Sequence, residues 1–138
     1  MPSPDELREL LRQARTIAVV GLSPKSVRPS YSVSSYLQRA GYRIVPINPG
    51  HDRILGEQSY PTLAAAARDH EIDIVNVFRR SELAGAVVDE ALALGPPPKL
   101  IWLQLGVEDP AAAERAGAAG IPFVMDHCLA IEHRHLEV

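Results

Sequence analysis

The sequence has only one cysteine, Cys128, and its N-terminus lacks the basic and apolar regions of a signal peptide. A single cysteine excludes an internal disulfide, so the chain is not a disulfide-stapled secreted domain, and we expect it to be cytoplasmic. No apolar run approaches the roughly 18 residues that span a bilayer. We therefore expect no membrane partner.

The chain also has only a small net charge. It has 14 basic and 17 acidic residues, a formal net charge of -3, and no stripe of Lys or Arg. Without such a stripe the surface cannot gather the phosphates of a nucleic acid, so we expect no nucleic-acid partner, and a small anionic ligand would need a local pocket. The length of 138 residues and the 46% hydrophobic content indicate one globular domain spanning residues 1–138.

Five short apolar runs alternate with segments that have helical signals. Continuous apolar runs of this length are typical of strands buried on both faces. We predict strands at 16–20, 42–47, 72–77, 99–105 and 121–125, with a short further strand at 53–55. We predict helices at 3–15, 30–40, 61–69, 81–95, 110–120 and from about 128 onward. The alternation predicts a Rossmann-like three-layer α/β/α sandwich with a mainly parallel five-stranded sheet.

The helix starts have recognisable caps. Ser3 and Glu6 have the spacing of a capping box, and Asp109 precedes a proline at the first helical position. Ser30 is the candidate cap of the second helix, which Gly41 would close.

The loop after the first strand is the first candidate site, because ligands of open α/β sheets bind beyond the carboxyl ends of the strands. It contains Gly21, Ser23, Lys25, Arg28 and Ser30. Backbone N–H groups and the helix dipole at such a turn can hold phosphate. Only Gly21 matches the G-x-G-x-x-G fingerprint, which disfavours a dinucleotide lying on the backbone. The alternative is a polar surface turn.

The loops after the second and third strands supply further candidates. Asn48 and Pro49 stand where an NAD site has an acidic residue for the ribose. The amide can bond a ribose hydroxyl, or the pair can form a plain turn. Phe78 and Arg79 place an apolar ring beside a cation, which suits an adenine and a phosphate, unless the arginine is simply solvated.

The loops after the last two strands contain Gln104, Gly106 and Cys128. Gln104 lies in an apolar run, where an unpaired amide would cost about 1–3 kcal/mol, so it needs a backbone, water or ligand partner. Cys128 is either a thiol able to form a mixed disulfide or a small core residue. The histidines around Cys128 match no zinc-binding spacing, and we predict no metal site.

Five short motifs occur in order along nearly the whole chain. They are residues 20–25 with 28–31 (VGLSPK, RPSY), 47–49 (INP), 75–79 (VNVFR), 102–106 (WLQLG) and 125–128 (MDHC). With these motifs the chain resembles the stand-alone CoA-binding domain family, which is related to the N-terminal domain of the succinyl-CoA synthetase α subunit and of NDP-forming acyl-CoA synthetases. The resemblance implies a CoA nucleotide across the strand ends. Its phosphates would lie near Gly21, Ser23 and Lys25, and its adenine near Phe78.

The leading hypothesis is a CoA-binding, sensing or accessory protein that holds coenzyme A or an acyl-CoA, with Lys25 and Arg28 as phosphate partners and no catalytic residue. It predicts binding without turnover. A second hypothesis is a small NAD(P)- or acyl-CoA-dependent enzyme that uses Asp126 or His127 as acid or base. A third is a protein-interaction module in which the nucleotide crevice is vestigial and an unidentified protein is the partner.

Overall fold

A computed structural model describes residues 1–138, in which six helices and seven strands follow one another. In chain order the elements are α1 (Pro4–Gln13), β1 (Thr16–Val20), α2 (Pro29–Arg39), β2 (Arg43–Ile47), β3 (Arg53–Ile54), β4 (Glu57–Gln58), α3 (Leu63–Ala67), β5 (Ile74–Val77), α4 (Ser81–Leu92), β6 (Leu100–Leu103), α5 (Pro110–Ala118), β7 (Phe123–Val124) and α6 (Leu129–His135).

Five strands form one parallel sheet in the order β2-β1-β5-β6-β7, which confirms the predicted Rossmann-like α/β fold. Ala18 in β1 pairs with Val45 in β2 on one side and with Val75 in β5 on the other. The strand order therefore reverses between β1 and β5. Loops that leave the sheet on either side of such a point diverge and open a crevice.

Helices cover both faces of the sheet because the central strands are apolar on both sides, apart from the buried Asn76 of β5. On one face Ile17, Val19 and Trp102 pack with residues of α1, α2 and α6. On the other face Ala18 and Val75 pack with residues of α3, α4 and α5. This is the predicted three-layer arrangement.

Ser30 does not cap α2, so that prediction is wrong. The helix begins at Pro29 and its N-cap is Arg28. Proline is favoured at the first helical position, which places Ser30 inside the first turn. Its hydroxyl instead accepts a hydrogen bond from the backbone N–H of Ser23 at 3.0 Å.

Several predicted boundaries also shift. The third helix begins at Leu63 rather than at residue 61, because the Thr62 hydroxyl accepts from the backbone N–H of Ala65 at 3.1 Å and acts as its cap. The fourth helix ends at Leu92, short of residue 95. The predicted caps Ser3 and Asp109 are confirmed. None of the helices combines the length and apolar character that a membrane span requires.

Candidate functional site

Two adjoining cavities open beyond the carboxyl ends of β1, β5 and β6. Their volumes are about 570 Å³ and 350 Å³, within the range of about 300–1,000 Å³ that is usual for small-molecule sites. Both are lined by Gly21, Ser23 and Phe78, so they form one crevice at the point where the strand order reverses. We call the larger one the apolar cavity and the smaller one the polar cavity.

The polar cavity is built from the loops that follow β1, β2 and β5. Its lining includes Lys25, Asn48, His51 and Arg79, together with Pro24 and Pro49. No carboxylate lines either cavity. A ligand with negative charge therefore meets no like charge on the walls of the crevice.

Three cations at the crevice, Lys25, Arg28 and Arg79, have no carboxylate within salt-bridge distance, although five other basic side chains of the chain do. Arg28 lines the apolar cavity and the other two line the polar one. A chain with a net charge of -3 thus has a local excess of positive charge at this one edge of its sheet. Charge-assisted hydrogen bonds from such groups are the usual means of holding phosphate.

The apolar cavity lies between α2, α6 and the ends of β5 and β6. Its apolar walls come from Val33, Phe78, Leu105 and Ile131. Leu105 and Ile131 are 67% and 55% exposed, which is high for large apolar side chains. Exposed apolar side chains that converge on a cavity are typical of a surface that a ligand covers.

Gly21 brings the two cavities together. Its φ of +87° is one that side-chain-bearing residues rarely adopt, and a Cβ here would overlap the carbonyl oxygen of Phe78. The β1 loop can therefore approach the end of β5 only because residue 21 is glycine. This close approach forms the floor that both cavities share.

Hydrogen bonds of ordinary length hold the β1 loop in place. The Ser23 hydroxyl accepts from the backbone N–H of Lys25 at 3.1 Å. Asn48 donates from Nδ2 to the carbonyl oxygen of Leu22 at 2.9 Å, and its Oδ1 accepts from the N–H of Gly50 at the same distance. The Asn48 amide thus joins the β2 turn to the β1 loop.

Gln104 occupies the floor of the apolar cavity and is only 4% exposed. Its Oε1 accepts from the backbone N–H of Leu129 at 2.9 Å, so the partner that the sequence required is backbone. Its Nε2 has no hydrogen-bond partner within the protein. Trp102 donates from Nε1 to the carbonyl oxygen of His127 at 2.8 Å. The two bonds fix the chain on either side of Cys128, which is half-buried and lines the same cavity.

The residues proposed from sequence meet in this crevice, with one exception. Those that line one or both cavities are Gly21, Ser23, Lys25, Arg28, Ser30, Asn48, Pro49, Phe78, Arg79, Gln104 and Cys128. Gly106 lies outside the lining. Its φ is +85° and its N–H donates to the Asp126 carboxylate at 2.7 Å, so it shapes the turn after β6.

The lining residues that the sequence did not single out are mostly apolar. Val33 and Ile131 lie on α2 and α6, and Leu105 follows β6. Apolar residues on helices ordinarily indicate core, so no local pattern distinguishes them. One signal was available: Ile131 follows Cys128 by three residues, and residues with this spacing lie on the same face of a helix.

Asp126 and His127, the acid–base candidates of the enzyme hypothesis, line neither cavity. Asp126 accepts the hydrogen bond from Gly106. His127 donates from Nδ1 to the carbonyl oxygen of Met125 at 2.8 Å. Both side chains are engaged in holding their own loops.

Comparison with known proteins shows which family the chain resembles. The family model for the CoA binding domain matches residues 15–134. The chain is 40% identical over 132 residues to the uncharacterized protein YneT of Bacillus subtilis (strain 168), covering 96% of this chain and 95% of that one.

Two solved structures are similar over almost their full length. One is the Thermus thermophilus protein termed cell-free ID.343, with 37% identity, a TM-score of 0.87, and coverage of 98% of this chain and 99% of that one. The other is a hypothetical protein from Pyrococcus horikoshii OT3, with 31% identity, a TM-score of 0.91, and coverage of 99% and 94%. From the family match and these relatives, the chain belongs to the CoA-binding domain family.

Proposed function

We propose that this protein binds coenzyme A or an acyl-CoA in the crevice and does not turn it over. The observation that carries the proposal is the polarity of the crevice: the unpaired cations Lys25 and Arg79 line the polar cavity, while apolar side chains and one cation, Arg28, line the other. CoA has the same polarity, since its phosphates lie at one end and its pantetheine arm, which ends in a thiol, lies at the other. A ligand that matches both cavities gains charge-assisted contacts and apolar burial together.

The nucleotide occupies the polar cavity and the adjoining rim. Lys25, Arg28 and Arg79 contact the phosphates through charge-assisted hydrogen bonds. Phe78 lies between the two cavities, where its ring packs against the adenine. The pantetheine arm then enters the apolar cavity.

A binding, sensing or accessory role agrees with the state of the acid–base candidates. Asp126 and His127 are occupied by loop hydrogen bonds and lie outside the crevice lining. We therefore expect the ligand to be held unchanged. A partner protein would then respond to whether the crevice is occupied by CoA, and not to a reaction product.

The test is calorimetric titration with CoA, dephospho-CoA, NAD and ATP. We expect CoA to bind tightest, and Lys25→Ala and Arg79→Ala each to weaken CoA binding by about 1.5–3 kcal/mol, the usual worth of a hydrogen bond to a charged group. Arg12→Ala is the matched control, because Arg12 is an exposed cation on α1 away from the crevice. It should leave CoA binding unchanged.

Two outcomes would overturn the proposal. Absence of binding to every nucleotide would favour the interaction module with a vestigial crevice. Tighter binding of NAD than of CoA would favour the enzyme hypothesis. Incubation of the protein with acetyl-CoA, followed by chromatography of the nucleotide, tests turnover directly, and recovery of unchanged acetyl-CoA is expected.

A further inference from the structure

Cys128 is the one thiol of the chain, and it lies in the wall of the apolar cavity. It is half-buried and occupies the N-cap of α6, where it makes no side-chain capping bond. The proposed function leaves this thiol without a role. Its place at the apolar end of the crevice is nonetheless where the thiol end of a bound CoA would arrive.

The position of Cys128 is fixed by its neighbours in sequence. On one side the carbonyl oxygen of His127 accepts from Trp102 at 2.8 Å, and on the other the N–H of Leu129 donates to Gln104 at 2.9 Å. Both partners come from β6 or the residue directly after it, and both are buried. A cysteine held between two such bonds is presented to the cavity by the rigid sheet rather than by a mobile loop.

Gln104 independently points to a ligand in this cavity. It is only 4% exposed, it lines the cavity beside Cys128, and its Nε2 has no hydrogen-bond partner within the protein. The enclosed side-chain atoms without a partner belong to Ser34 and Asn76, so the Gln104 nitrogen is not enclosed but reaches the surface of the cavity, where it can donate to a ligand. An amide carbonyl of the pantetheine arm is an acceptor of the right kind, and it lies close to the thiol in CoA.

We infer that Cys128 exchanges with the disulfide form of CoA and retains one CoA as a mixed disulfide in the crevice; the inference rests on the proposed function. Cys128 loses its proton to solvent and attacks one sulfur of the CoA disulfide. That S–S bond breaks, a new S–S bond forms to Cys128 Sγ, and the second CoA leaves as a thiolate that takes up a proton. The Cys128 sulfur is oxidised and the released CoA is reduced. A small thiol reductant reverses the exchange.

This chemistry would make the protein a receptor for the oxidised form of the CoA pool. Reversible non-covalent binding of CoA would be replaced by covalent occupancy when CoA disulfide is present. The nucleotide cavity selects the ligand, and the cysteine retains it.

The test is intact-mass measurement of the purified protein after incubation with CoA disulfide, with cystamine as the comparison disulfide that lacks the nucleotide. We expect the mass to rise by one CoA moiety and to return to its original value with dithiothreitol. Because binding holds the disulfide next to Cys128, labelling by CoA disulfide should be at least roughly tenfold faster than labelling by cystamine.

The variants separate this inference from the proposed function. Cys128→Ser should lose the adduct with both CoA disulfide and cystamine, because it removes the one thiol of the chain. Lys25→Ala should slow labelling by CoA disulfide without slowing labelling by cystamine, and Arg12→Ala should change neither. If reduced CoA binds and CoA disulfide leaves no adduct, or labels no faster than cystamine, the inference is wrong and the proposed function stands. If reduced CoA does not bind at all, the proposed function fails first.

Discussion

The side-chain Oε1 of Gln104 accepts a hydrogen bond from the backbone N–H of Leu129 at 2.9 Å, and this bond joins the end of β6 to the first turn of α6. The first N–H groups of a helix have no partner within the helix, so a side-chain acceptor satisfies one of them. Since Cys128 and Ile131 flank this contact and both line the apolar cavity, one amide side chain sets the position of a whole wall.

Replacing Gln104 with methionine should therefore loosen that wall. Gln104→Met keeps the length of the side chain and removes both polar atoms, which leaves the N–H of Leu129 buried and unpaired. We expect the free energy of unfolding in urea to fall by about 1–3 kcal/mol. We also expect weaker binding of CoA. Gln13→Met, at an exposed position of α1, is the matched control and should change neither quantity.

Replacing Gly21 with alanine should damage both cavities. Gly21→Ala combines a φ of +87° with an overlap of the new Cβ and the Phe78 carbonyl oxygen. We expect a loss of about 1–3 kcal/mol in the free energy of unfolding and the loss of measurable CoA binding. Gly41→Ala separates the two causes, because Gly41 has a φ of +108° and a Cβ added there would meet no atom within 4 Å. Equal losses of stability in both variants would mean that the contact with Phe78 is unimportant.

Removing the hydroxyl of Ser34 should stabilise the protein. Ser34 is fully buried in α2, and its Oγ has no hydrogen-bond partner. Ser34→Ala removes an unpaired polar atom and adds helix propensity, so we expect a gain of about 1 kcal/mol in thermal or urea unfolding. Ser35→Ala is the control, since the Ser35 hydroxyl accepts from Arg39 at 2.7 Å at an exposed site. A loss of stability in Ser34→Ala would show that the buried hydroxyl contributes.

His133 should make stability depend on pH. Burial lowers the pKa of His133 below its usual 6.5, and the neighbouring Arg134 lowers it further. Its Nδ1 lies 2.9 Å from the Tyr36 hydroxyl, and its ring also packs edge-on against Tyr42. The unfolded chain binds a proton at His133 more readily than the folded chain does. The stabilisation that neutral His133 provides is therefore complete above pH 6.5, and it is lost as the pH falls from there through the lower pKa of the folded state.

The measurement is urea unfolding at pH 7.5 and pH 5.5, with Arg134, Tyr36 and Tyr42 left intact. We expect the native protein to lose stability between the two values, and His133→Gln to lose less. His135→Gln, at an exposed position of the same helix, should behave as the native protein does. An unchanged pH dependence in His133→Gln would place the titration elsewhere.

Short-range patterns were enough to predict the six helices and the five strands of the parallel sheet, although not the short strand β4. The apolar runs at residues 16–20 and 72–77 predicted buried strands, and Ser3 and Asp109 predicted helix starts, because strand burial and helix capping depend on residues a few positions apart. The same locality explains the errors. Ser30 has the chemistry of a cap, but Pro29 beside it competes for the start of the helix, and the hydroxyl found its partner at Ser23.

The sequence already shows that polar side chains and Gly21 follow the predicted strands. Because the carboxyl ends of parallel strands meet at one edge of a sheet, this order was enough to predict where the candidate site lies. The strand order β2-β1-β5-β6-β7, which puts the crevice between β1 and β5, became known from the folded chain alone. So did the apolar walls from α2 and α6 and the use of Asn48 as a link to Leu22, 26 residues away. Contacts between residues far apart in sequence depend on how the helices pack on the sheet, and no local pattern encodes that packing.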